Sequence, residues 1–121
     1  MIEEIITPRI TKIKSQVVCP VELALRVLGG KWRGSILYQL RVGSLRFNHL
    51  KNNVQAAVVD YEDSDNFLSN KVLSCHLIEL IELELVKKEG IDSIVYYSLT
   101  KKGESAMPIL LDLFEWGETH F

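Results

Sequence analysis

The sequence predicts a mostly helical fold carrying one small β-hairpin, an α+β arrangement. Three observations predict it. Apolar residues recur at helical spacing in several separate blocks. A long apolar-periodic run opens on Ser69, a good capping residue. Two short runs rich in β-branched and aromatic residues then flank the turn-forming stretch Gly90 to Ser93. A chain of 121 residues can bury one modest core and is too short for two ordinary ones, so 1–121 is expected to be a single domain.

The first helix is expected over Pro20–Leu28. Proline suits a first helical turn, and Gly29 suits the residue just past the end. Val21, Leu25 and Leu28 form its apolar stripe, widened by Ala24 and Val27. Gly29-Gly30 permits a sharp turn. A second helix then runs from about Lys31 to Arg41, burying Trp32, Ile36, Leu37 and Leu40. Trp32 is the expected plug between these two helices, with Lys31 and Arg33 flanking it on the solvent side. Gly43-Ser44 ends the second helix, Leu45 is the place for a short strand, and a third helix starts near Arg46 with Phe47 and Leu50 inward.

Residues 52–67, NNVQAAVVDYEDSDNF, show no clear period and carry Asp60, Glu62, Asp63 and Asp65. A loop or short extra turn is expected there, an acidic insertion. The fourth helix spans about Ser69–Leu83, capped by Ser69, with Leu73, Leu77, Leu80 and Ile81 facing inward. Leu85–Glu89 and Ile94–Leu99 read as the two strands. Thr100 caps a last helical region, 100–121, in which Pro108 should kink or divide the helix.

The charge is uneven. Arg9 to Lys51 holds nine cations against one acid, Glu22, whereas everything from Asn52 onward holds five cations against thirteen acids. A basic half suits an anionic partner, of which nucleic acid is the usual one; a dipolar chain whose charges only solvate its surface would look the same. No apolar run approaches the roughly 18 residues that would cross a bilayer, and the N-terminal arm, 1–18, mixes charges into its apolar positions with no signal-peptide core. The expected location is cytoplasmic, with Cys19 and Cys75 reduced. No Ser-His-Asp set, paired-carboxylate motif or Gly-rich phosphate loop appears, so no enzyme is expected. His49, His76 and His120 do not share metal-ligand spacing with the cysteines, and neither a metal nor another cofactor is expected.

Three helices, a capped fourth helix and a hairpin follow the order of a winged helix-turn-helix, in which the fourth helix enters the DNA major groove and the hairpin is the wing. The residues carry that further. CPVELALRVLGGKWRGSILYQL from Cys19, GSLRFNHL, LSNKVLSCHLIELIELELV and YYSLTKKG resemble the HxlR-type winged-helix transcriptional regulators over about Cys19 to Trp116. The resemblance implies a homodimeric regulator that binds a palindromic double-stranded operator. Some members sense an oxidant or electrophile through a cysteine placed like Cys19. The chain departs from the family pattern in the long acidic insertion, in Glu84 where glycine is usual, and in a short wing without prolines at its tip.

Expected DNA-binding residues are Ser69, Asn70, Lys71, Ser74 and Cys75 at the start of the fourth helix, Arg46 before the third, Lys31 and Arg33 before the second, and Lys87 and Lys88 on the wing. Ile78 faces outward farther along the fourth helix. These would also fit an ordinary solvated face or a surface ion pair, Cys75 a structural role as a small residue, and Ser69 a cap alone. Cys19 precedes a helix whose dipole can lower a thiol's pKa, and Lys12, Lys14 and Arg26 are near in sequence; it is either a reactive redox-sensing thiolate or an inert packed cysteine. Ile5 and Ile6, with Ile2 and Ile10, and the C-terminal set Ile109, Leu110, Leu113, Phe114 and Trp116 are more apolar surface than a small core needs. They are the expected dimer interface, unless they close the monomer's own core. The competing function is a protein-interaction module that keeps the winged scaffold without binding DNA.

Overall fold

A computed structural model of the chain describes residues 19–58 and 67–121. The arm 1–18, with Ile5, Ile6, Lys12 and Lys14, and the acids Asp60, Glu62, Asp63 and Asp65 lie outside the described residues. The elements in chain order are α1 (Pro20–Leu28), α2 (Arg33–Gln39) continued by a 3-10 turn (Leu40–Val42), β1 (Leu45–Arg46), α3 (Phe47–Val58), α4 (Asn70–Glu82), β2 (Val86–Ile91), β3 (Ile94–Leu99), α5 (Lys101–Ser105) and α6 (Met107–His120). The fold is thus mostly helical with a small antiparallel sheet, as expected. The sheet has three strands in the order β1-β3-β2, with Leu45 opposite Tyr97 and Val86 opposite Leu99.

One buried cluster gathers α2, α3, α4 and the start of the wing. Ile36 and Leu37 of α2, Leu50 and Val54 of α3, and Leu73, Leu77 and Leu80 of α4 meet in it, and Trp32 plugs one end at 6 % exposure. Of the glycine pair after α1, only Gly30 takes a left-handed φ, 97°. Gly29 instead closes α1, its N–H donating to the Leu25 carbonyl at 2.7 Å.

Four expectations need correction. The stretch from Asn52 to Val58 is not loop but the second half of α3. Val54 falls one turn after Leu50 and is fully buried, and Gln55 Oε1 accepts the Leu68 N–H at 2.6 Å, tying the far end of the insertion back to the helix. The stripe of α1 joins the core only at its end: Val27 and Leu28 pack against the buried cluster, whereas Val21 and Leu25 are 67 % and 57 % exposed, because no element of the described chain covers that side of the helix. The second helix is shorter than Lys31–Arg41, with Trp32 at its N-cap. The hairpin turn is only Asp92-Ser93, both at positive φ (51° and 68°), so Gly90 and Ile91 belong to β2. Two left-handed residues match a two-residue turn to the twist of its strands, and aspartate is among the residues that tolerate this region.

Pro108 acts as expected. Thr100 Oγ1 accepts the Gly103 N–H at 3.0 Å and caps α5, the chain breaks at Ala106, and Pro108 sits in the first turn of α6, where it lacks no needed donor. Among the described residues no helix is long and apolar enough to cross a membrane.

Candidate nucleic-acid interface

The candidate site is built on α4. Ser69 is extended (φ −80°, ψ 161°) and its Oγ accepts the Val72 N–H at 3.1 Å, which fixes where the helix starts. With Leu73, Leu77 and Leu80 buried, helical geometry turns the opposite side to solvent. Asn70, Lys71, Cys75 and Ile78 are exposed there and Ser74 is half-buried. The expected reading face is therefore a single continuous surface.

Arg33 is not on the solvent side. Its side chain is 11 % exposed and forms an ion pair with Glu79 of α4, and it donates to the Val27 carbonyl at 3.3 Å. It joins α1, α2 and α4 and presents no free cation to a phosphate. Lys31 is exposed, its Nζ 5.3 Å from the Trp32 ring centre. It lines a cavity of about 410 Å³ with Tyr38, Leu110 and Phe114, on the side of α6. These two sequence candidates thus lie apart from the face of α4.

One other, Lys88, approaches it, whereas Lys87 and Arg46 do not. Lys88 lines a hollow of about 160 Å³ between α4 and the wing, together with Ser74, Ile78 and Tyr97. Lys87 is also exposed, but side chains alternate along a strand, so it points from the other face of β2. Arg46 is exposed at the end of β1 and lines a cavity of about 420 Å³ with Asn48, His49 and the wing-tip Ser93. Asn48 and His49 were not among the sequence candidates. Their position at the start of a helix directly after Arg46 was the available signal.

Cys19 is exposed and free. It stands at the N-cap of α1, where the backbone amide of Glu22 and then that of Val21 favour the thiolate and draw the thiol below its ordinary range. Arg26 pairs with Glu22 at 3.5 Å rather than with the thiol. Cys75 is exposed and free on α4. His76, weighed in the sequence only as a metal ligand, has a buried Nδ1 with no hydrogen-bond partner among the described residues, and burial followed by the charge of Arg33 pushes its pKa down. Among the described residues no three His, Cys, Asp or Glu side chains gather to hold a metal ion.

The apolar C-terminal set lies largely in solvent. Ile109, Leu113, Phe114 and Trp116 are 50–59 % exposed, and only Leu110 packs partly against the core. Phe114 stacks on Tyr38 with ring centres 6.2 Å apart.

Comparison with known proteins agrees with the fold that carries this surface. A family model described as HxlR-like helix-turn-helix matches residues 27–121. The HTH-type transcriptional regulator YybR of Bacillus subtilis is 33 % identical over 105 residues, covering 84 % of this chain and 75 % of the relative. The redox regulator HypR in its reduced form superposes with a TM-score of 0.69 at 33 % identity, over 84 % of this chain and 92 % of that one. Diamide-treated YodB from B. subtilis superposes with a TM-score of 0.64 at 26 % identity, over 86 % and 96 %.

Proposed function

Since the chain belongs to the HxlR-like helix-turn-helix family of transcriptional regulators, we propose that it binds a palindromic operator as a homodimer through the outward face of α4. The observation that carries the proposal is that face itself. A serine-capped helix buries three leucines, is clamped to α2 by an ion pair, and turns Asn70, Lys71, Ser74 and Cys75 outward together. Asn and Lys can bond base edges, and Ser can bond bases or phosphates. Ser69, whose side chain is committed to capping, offers its position at a helix N-terminus to a phosphate. Lys88 beside that face and Arg46 beside the wing tip supply backbone contacts. The acidic remainder of the chain limits nonspecific binding to polyanions.

The reduced protein, offered a random duplex pool, is expected to enrich an inverted repeat. Its affinity should fall by at least about tenfold between about 50 and 200 mM salt, as phosphate-neutralising contacts are screened. No enrichment and no salt-dependent duplex affinity would instead favour a protein-interaction module.

A thiol input through Cys19 extends this proposal. An exposed cysteine with a favoured thiolate can attack an electrophile or oxidant, and the similarity to HypR and to diamide-treated YodB supports this role. Operator affinity is expected to fall on treatment with diamide, and Cys19→Ser should abolish that response while binding as the reduced protein does. A full response in Cys19→Ser would remove Cys19 from the mechanism.

A further inference from the structure

Ile78 lies at the middle of the proposed reading face and is not core. Leu73, Leu77 and Leu80 supply what α4 buries, and Ile78 stays 58 % exposed. At about 100° per residue it falls on the midline between Ser74 and Cys75, one turn before it, and two turns beyond Asn70 and Lys71. Side chains three and four apart are neighbours on a helix, so these five residues form one patch. An isolated exposed aliphatic residue is ordinary. This one stands next to Ser74 and Cys75 on the reading face, and it lines the hollow beside the wing with Ser74, Leu77, Ile81, Lys88 and Tyr97. A duplex touching Ser74 and Lys88 would cover Ile78 as well.

The major-groove edges of the base pairs present donors, acceptors and one apolar group, the C5-methyl of thymine. Ile78 has no donor or acceptor. Against any polar edge it would desolvate a group without replacing its hydrogen bond, which is unfavourable. Against the thymine methyl it buries apolar surface on both sides. We propose that Ile78 is a specificity-determining residue that packs on a thymine methyl in each operator half-site. The proposal rests on operator binding through α4, as argued above, and adds that each half-site carries a required thymine opposite the middle of that helix.

The test replaces thymines of the selected duplex, one at a time, by deoxyuridine. This removes the methyl and keeps every base-pair hydrogen bond. The wild-type protein is expected to lose about fourfold in affinity at one or two positions per half-site, the effect of one buried methyl-sized group. Ile78→Ala should bind more weakly and be indifferent to deoxyuridine at those positions. Lys71→Ala should keep the methyl sensitivity and show a shallower salt dependence. A bound duplex at which no thymine methyl matters, or Ile78→Ala retaining the full sensitivity, overturns the proposal. Failure of the wild-type protein to bind any duplex overturns operator binding itself, and that outcome is distinct from a bound duplex indifferent to methyl groups.

Discussion

Glu84 carries a conformational cost visible in its neighbours. After α4 the Leu85 N–H bonds back to the Leu80 carbonyl at 2.9 Å and the Glu84 N–H to Ile81 at 3.0 Å. That is the paired-bond helix ending that places its C′ residue in the left-handed region, where glycine is usual. Glu84 sits there at φ 65°, held by Thr100 Oγ1 donating to its carbonyl at 2.5 Å. Glu84→Gly is expected to raise the unfolding free energy by about 1 kcal/mol in denaturant titration, net of the extra chain entropy glycine loses; Glu84→Ala should give no such gain. No increase for glycine would mean that the position is not strained. This site was legible in the sequence because a non-glycine residue stood where the family resemblance led us to expect glycine. His76 was not legible, since nothing local distinguishes a histidine with a buried nitrogen from an exposed one. Its pKa is lowered in the folded state, so between that value and the ordinary 6.5 the unfolded chain binds more protons. Stability from this group is complete above pH 6.5 and is lost as pH falls through the lowered value. Above about pH 5, where carboxylates contribute little, wild-type stability should decline on acidification and His76→Gln should decline less. Equal slopes in the two proteins would exclude His76 as the titrating group.

At the level of elements, what was legible followed local chemistry. The serine cap and leucine spacing of α4, the threonine cap of α5 and the proline that opens α6 each act within a few residues, and each was placed correctly. The second half of α3 was missed because Val54 alone among its described side chains is buried, and the Leu68 amide that meets Gln55 lies 13 residues away. The Arg33–Glu79 pair was missed for a similar reason: it spans two helices far apart in sequence. It fixes α2 against α4, and both side chains are largely withdrawn from water (11 % and 23 % exposed). Removing one partner strands a poorly solvated charge, whereas removing both does not. Glu79→Ala is therefore expected to cost about 2 kcal/mol, less than for a fully buried pair because some solvent screening remains. The double variant Arg33→Met/Glu79→Ala should be more stable than the sum of the Arg33→Met and Glu79→Ala losses implies. Strict additivity in such a cycle would show that the pair contributes nothing through its coupling.

At the scale of the whole molecule, the described chain leaves its apolar surface unfinished on one pair of helices. Val21 and Leu25 of α1 and Leu113, Phe114 and Trp116 of α6 are each at least half exposed, although the core between α2, α3 and α4 is closed. The C-terminal half of this surface was legible as an excess of apolar residues. The α1 half was not, because a stripe reads the same whether its partner is in the chain or in a second copy. Twofold pairing through these helices would bury them, and the palindrome proposed for the operator requires such a pairing to hold two α4 helices about one DNA turn apart. The wild-type protein is then expected to sediment at twice the chain mass. Leu113→Glu and Leu25→Glu, at positions 50 % and 57 % exposed and so compatible with the monomer fold, should each sediment as one chain with unchanged helical circular dichroism. Both should bind an isolated half-site as the wild type does and lose the added affinity for the full palindrome, because linking two half-sites makes the second contact intramolecular. Retention of the dimer in Leu113→Glu alone would assign the interface to α1, and a monomeric wild type that binds the palindrome tightly would remove the dimer from the mechanism.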